Sequence, residues 1–235
     1  MSAIVLFMAV LAVIVGWWLS QQRLTAKPWL EEGSIDDFPG TGAMTLPAAK
    51  IGLGVFLAVA TSLFALFISA YSMRMNMADW RAMPVPTVLW FNTGVLVLSS
   101  AALQWAYVAT RRNDMDGAIV GLLAAGGAAI TFLAGQLLAW QQLSAAGYFV
   151  ASNPANAFFY MITAVHGLHL TGGLVALGRT TAKVWHRNAA TAEMRLSMEL
   201  CTIYWHFLLL VWVVLLGLLT GWTNDFVDIC RQLLS

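Results

Sequence analysis

Six stretches of near-continuous apolar residues, broken by short polar runs, organise the chain. They cover approximately 3–20, 50–73, 87–109, 117–142, 157–178 and 198–222. Each is close to the ~20 residues that a helix needs to cross a hydrocarbon core. No ten-residue alternation of apolar and polar positions appears, and an open sheet would leave its backbone unsatisfied in lipid. The pattern therefore predicts an all-α fold, a polytopic transmembrane bundle of about six helices. The longest polar interval, 21–49, holds KPWLEEGSIDDFPGTG, whose Pro, Gly and acidic residues mark a surface loop. Three divisions are expected: an N-terminal anchor with its linker (1–49), a five-helix core (50–222) and a short tail (223–235).

Composition agrees with this pattern. Of 235 residues, 60% are hydrophobic and 10% charged, against about a quarter charged in a soluble domain. A net charge of +1 gives no reason to expect a nucleic acid partner. The segment MSAIVLFMAVLAVIVGWWLS has no basic leader and no small-residue cleavage site, so it reads as a retained anchor and not a signal peptide. Cys201 and Cys230 form no metal-binding or disulfide spacing.

Basic residues set the expected orientation. Arg23, Lys27, Lys50, Arg111, Arg112, Arg179, Lys183, Arg187 and Arg195 fall on one side of the six spans, and only Arg74, Arg81 and Arg231 on the other. That bias puts both termini outside, periplasmic if the cell is bacterial. Tryptophans near the span ends (Trp17, Trp18, Trp80, Trp140, Trp185 and Trp222) fit an interfacial belt. The run GLLAAGGAAITFLAG in the fourth span is rich in small residues that allow close helix approach.

Ionisable residues inside a bilayer are costly and mark function by default. The second to fifth spans have no Asp or Glu in their interiors, and Glu199 stands at the start of the last. A proton pump or ion-coupled transporter needs buried carboxylates, so those classes lose ground. No internal repeat or pair of Gly/Pro-broken helices supports a transporter either. His166 and His169, in FFYMITAVHGLHLTGG, share a helix face and could line one cavity. With His206 on the last span, either could hold a haem b. The competing reading is that each histidine only bonds a neighbouring helix or a carbonyl. The aromatic run IYWHFLLLVW is open in the same way, although its polar-tipped rings suit helix packing.

Two stretches carry a likeness. FFYMITAVHGLHLTGG, followed about thirty residues later by ELCTIYWHFLLLVW, resembles the subunit III family of haem-copper oxidases, which includes a branch in nitric oxide reductase clusters. The matching residues are Phe159, Met161, Thr163, His166, Gly167, His169, Gly173, Glu199, Tyr204, Trp205, His206, Phe207 and Trp212. The segment WFNTGVLVLSSAALQWA adds Asn92, Thr93, Leu96, Ser99 and Ser100, and TFLAGQLLAW keeps Gln136. Three acidic positions of the family are replaced, by Ala60, Ala139 and Leu209.

The resemblance implies an accessory subunit III of a terminal oxidase that reduces oxygen to water, with no catalytic or metal site of its own. Haem and copper would belong to subunits I and II, with phospholipid held structurally, in a bacterial inner membrane. His166, His169, Glu199, Tyr204, Trp205, His206, Asn92 and Gln136 are then structural or lipid-contact positions. Arg74, Arg81, Arg111, Arg112, Lys183 and Arg195 are expected to meet lipid phosphates, at about 1 kcal/mol each. An accessory subunit of a nitric oxide reductase and a haem b anchor are the alternatives.

Overall fold

The computed structural model describes residues 48–185 and 191–221. The predicted first span, most of its linker and the C-terminal tail lie outside the described residues. So do Arg23, Lys27, Arg187, Trp222, Cys230 and Arg231.

Each of the other five spans becomes one long helix: α1 Ala48–Arg74, α2 Val88–Arg111, α3 Met115–Ala145, α4 Pro154–Trp185 and α5 Ala192–Leu219. All five are long and apolar enough to cross a membrane. The last two extend past the apolar windows that predicted them. Arg179 and Lys183 continue α4, while Glu193 and Arg195 begin α5. Hydropathy locates the membrane, whereas helix propensity in these polar turns locates the helix. Glu199 consequently lies about two turns inside α5 and not at its start.

Turn chemistry fixes the connections. After α2, Asn113 takes the left-handed conformation at φ 59, a role that Asn tolerates. The Asp114 N–H then reaches Ala109 O at 3.0 Å and the Asn113 N–H reaches Thr110 O at 3.2 Å, which closes the last carbonyls of the helix. Asp114 also caps α3, its carboxylate accepting the Gly117 N–H at 3.0 Å. One short RND segment thus ends one helix and starts the next as a tight hairpin. Gly147, at φ 86, ends α3 by the same device. Asn153 caps α4 ahead of Pro154, whose ring is pre-set for a first helical position.

Helices α2 and α3 pack at very short range. A Cβ on Gly121 would lie 2.8 Å from Ala106 Cβ and 2.9 Å from Ala102 O, so the small-residue run of α3 serves close packing as expected. Helix α5 packs on α2 and α4, and α1 lies against α4 and α5. The main core runs through α2–α5 from Leu89, Leu96 and Phe132 to Trp205 and Trp212. A smaller cluster under α1 joins Phe64 and Tyr71 to Ile162, Val211 and Leu215. Between helices in lipid, cohesion comes from van der Waals fit and interhelical hydrogen bonds, since lipid is as apolar as leucine.

Candidate functional site

The polar side chains inside the spans are gathered mainly where α2, α3, α4 and α5 meet. Asn92 and Gln136 are both buried, and Asn92 Nδ2 donates to Gln136 Oε1 at 2.9 Å. Trp212 Nε1 donates to Thr93 Oγ1 at 2.9 Å, and Trp205 Nε1 to Ser99 Oγ at 2.8 Å. Ser99 passes the link on to Ala125 O at 2.8 Å, so one hydroxyl joins α2, α3 and α5. Trp140 Nε1 donates to Thr163 Oγ1 at 3.1 Å, tying α3 to α4. Each bond places a buried polar tip on a partner, as a large amphipathic ring requires.

The three histidines among the described residues occupy three environments; His186 lies outside them. His166 is fully buried in an aromatic cage, its ring centroid 5.2 Å from Trp212, 5.8 Å from Phe132 and 6.3 Å from Phe64. Neither of its ring nitrogens has a hydrogen-bond partner among the described residues. His169 is half-buried; its Nδ1–H donates to Val165 O at 2.8 Å, and Phe64 and Phe56 flank its ring at 5.4 and 6.1 Å. His206 is exposed on the outer side of α5 and bonds Ser100 Oγ through Nδ1 at 2.8 Å.

The expectation of one cavity lined by both α4 histidines is therefore corrected. Only His169 reaches a cleft of about 470 Å³ between α1, α4 and α5, lined also by Leu53, Phe56, Gly173, Cys201 and Tyr204. The three-residue spacing puts both rings against Phe64, but His166 is turned further toward α3. His206 makes no ring contact with either of them; its recorded partner is on α2.

Tyr204 OH donates to His169 O at 2.8 Å, and Gly173 makes this contact possible. A Cβ there would lie 2.8 Å from Tyr204 Cε1 and 3.0 Å from Trp205 Cζ3. Ala60 and Ala139 are buried and Leu209 is half-buried. Ala60 lies one turn from both Phe56 and Phe64, so this position shares the α1 face that meets His169.

At the membrane ends, Glu199 pairs with Lys50 at 2.5 Å. Several basic residues expected at lipid phosphates have protein partners. Arg74 pairs with Asp79, Lys183 with Glu193 at 2.8 Å, and Arg195 bonds Asn113 Oδ1 at 3.0 Å. Arg111 lies over the Tyr107 ring at 5.9 Å. Arg81 holds the two loops of its end together through its backbone, with Asn153 Nδ2 donating to its carbonyl at 2.5 Å. Arg112 closes α2 through its backbone N–H.

Sequence reasoning missed Phe64 and Phe132, which build the cage, and the serine and threonine acceptors as partners of particular tryptophans. A usable signal was present. Thr93 and Ser99 are six residues apart and Trp205 and Trp212 seven, about two helical turns in each case, the matching rise expected of two antiparallel helices.

The fold and this layer define a polytopic helical membrane protein whose buried polar groups join its own helices. The family model for cytochrome c oxidase subunit III matches residues 41–224. The protein named probable cytochrome c oxidase subunit 3 of Mycobacterium bovis is 30% identical over 175 residues, covering 71% of this chain and 84% of that one. Cytochrome c oxidase subunit 3 of Thermostichus vulcanus is 27% identical over 176 residues, 72% and 85% of the two chains. That of Synechocystis sp. is 31% identical over 174 residues, 70% and 71%. The chain belongs to the cytochrome c oxidase subunit III family. It is an accessory subunit of a haem-copper oxidase, and works within a membrane complex with other subunits.

Proposed function

We propose that the chain is the redox-centre-free subunit III of its oxidase, packed beside subunits I and II, which hold the haem and copper that reduce oxygen to water. The observation that carries this is how differently the three histidines within the described spans are used. One is caged by aromatic rings, one is bonded to its own helix, and one is bonded to a serine on α2. A bis-histidine haem site needs two imidazoles facing one another across a gap, and His206 faces away from the α4 pair.

The cleft between α1, α4 and α5 is suited to a phospholipid acyl chain. Its walls are aliphatic and aromatic, and the Lys50–Glu199 pair stands one turn beyond Leu53, where a headgroup would lie. The basic bias of the loops supports a bacterial inner membrane with both termini periplasmic.

Purification through a tag on this chain tests the reading. Haem- and copper-containing subunits should come down with it in stoichiometric amounts. Recovery of the chain without them would overturn the proposal. Filling the cleft by Ala176→Phe should lower the lipid retained in native mass spectra of the complex; unchanged lipid would remove that role.

A further inference from the structure

Away from the span ends, two groups of exposed polar side chains stand out. Ser62, Thr131 and Thr171 face outward, but each donates its hydroxyl to the carbonyl four residues back on its own helix, at 3.0, 2.9 and 2.8 Å. They are satisfied without a neighbour. Gln104 of α2 and His206 of α5 are not. Both are exposed. Gln104 has no hydrogen-bond partner among the described residues, and His206 uses only Nδ1, leaving Nε2 unused. His206 lies midway along α5, where no interfacial water can substitute.

The two residues share one seam. Ser100 and Gln104 are a turn apart on α2, and His206 is bonded to Ser100. Outward residues flank them at helical spacing on both sides, Val97, Ala101 and Gln104 on α2 and His206, Leu210 and Val213 on α5. Helix α2 also presents Gly94 on this side, with open space around its missing Cβ. Small outward residues let another helix backbone approach closely.

We propose that the α2–α5 seam is the docking face for a transmembrane helix of a neighbouring oxidase subunit, and that this helix carries a hydrogen-bonding group for His206 Nε2 and the Gln104 amide. The inference rests on the chain's place in a membrane oxidase complex. Acyl chains offer no hydrogen-bonding group at mid-bilayer, whereas polar side chains across helix interfaces do. A protein helix therefore fits this seam better than lipid.

Photocrosslinking in the intact complex tests it. A benzophenone amino acid at Ala101 or Leu210 should form an adduct with another oxidase subunit. Adducts with lipid alone, or with a second copy of this chain, would overturn the proposal. Replacing His206 by Leu should cut retention of the chain in the detergent-purified complex several-fold, while His206→Gln should preserve it. Equal retention of both variants would also overturn it. The two readings fail differently. If the tagged wild-type chain brings down no haem-containing subunit, the oxidase reading falls. If it does, and only positions on other faces such as Leu66 or Leu168 crosslink, the seam alone falls.

Discussion

Replacing Gly173 by Ala inserts one methyl at a close contact between α4 and α5. The new Cβ would stand 2.8 Å from Tyr204 Cε1 and 3.0 Å from Trp205 Cζ3, where carbon atoms prefer about 3.5–4.0 Å. Neither ring can yield freely. Tyr204 is held by its bond to His169 O, and Trp205 by its bond to Ser99 Oγ, both at 2.8 Å. Overpacking of this kind costs about 1–3 kcal/mol. Loss of the tyrosine bond adds about 0.5–1.5 kcal/mol, and the better helix propensity of alanine returns about 1 kcal/mol. The net expectation is a destabilisation of about 1–3 kcal/mol. Gly172 is the internal control, because its Cβ would meet nothing within 4 Å. Gly172→Ala should be neutral or stabilise by up to about 1 kcal/mol. Equilibrium unfolding of the two variants in mixed micelles, followed by tryptophan fluorescence, measures the difference. If Gly173→Ala proved as stable as Gly172→Ala, the close α4–α5 contact would be refuted.

Three further outcomes follow from the same geometry. His166 is buried with neither nitrogen bonded among the described residues, so His166→Phe should be neutral or stabilise by about 1–2 kcal/mol; a destabilised variant in the unfolding assay would instead show that the imidazole has a polar partner. Asn92→Leu strands Gln136 Oε1 and should cost about 1–3 kcal/mol, while adding Gln136→Leu should cost less than the sum of the single changes; strict additivity in the unfolding cycle would remove the pair. Lys50→Met breaks a pair whose side chains are about one-third exposed, so the loss should stay below about 1 kcal/mol and shrink with added salt; a larger, salt-independent loss would place the pair in a drier setting than described.

Much of the bundle was legible because lipid imposes a simple rule: only a continuous helix satisfies its backbone there. The apolar windows therefore located all five described helices. Their polar ends were not legible, because Arg179, Lys183, Glu193 and Arg195 look like loop on a hydropathy scale yet remain helical. Two motifs placed His166, His169, Tyr204, Trp205 and His206 together in one family pattern, but not how each would be used. That depended on helix rotation, which directs His166 to Trp212, His169 to the α1 cleft and His206 to Ser100. The basic residues show a similar limit. Their position at the membrane ends could be read from the chain. That Asp79, Glu193 and Asn113 would engage three of them could not, since Asn113 and Arg195 meet only after the bundle has formed.

Separating this chain from the purified oxidase and assaying haem and copper in both fractions tests the central claim most directly. The account predicts that all haem and copper stay with the remaining subunits, and that the separated chain has no Soret band. A stoichiometric haem or copper signal travelling with the chain would contradict it.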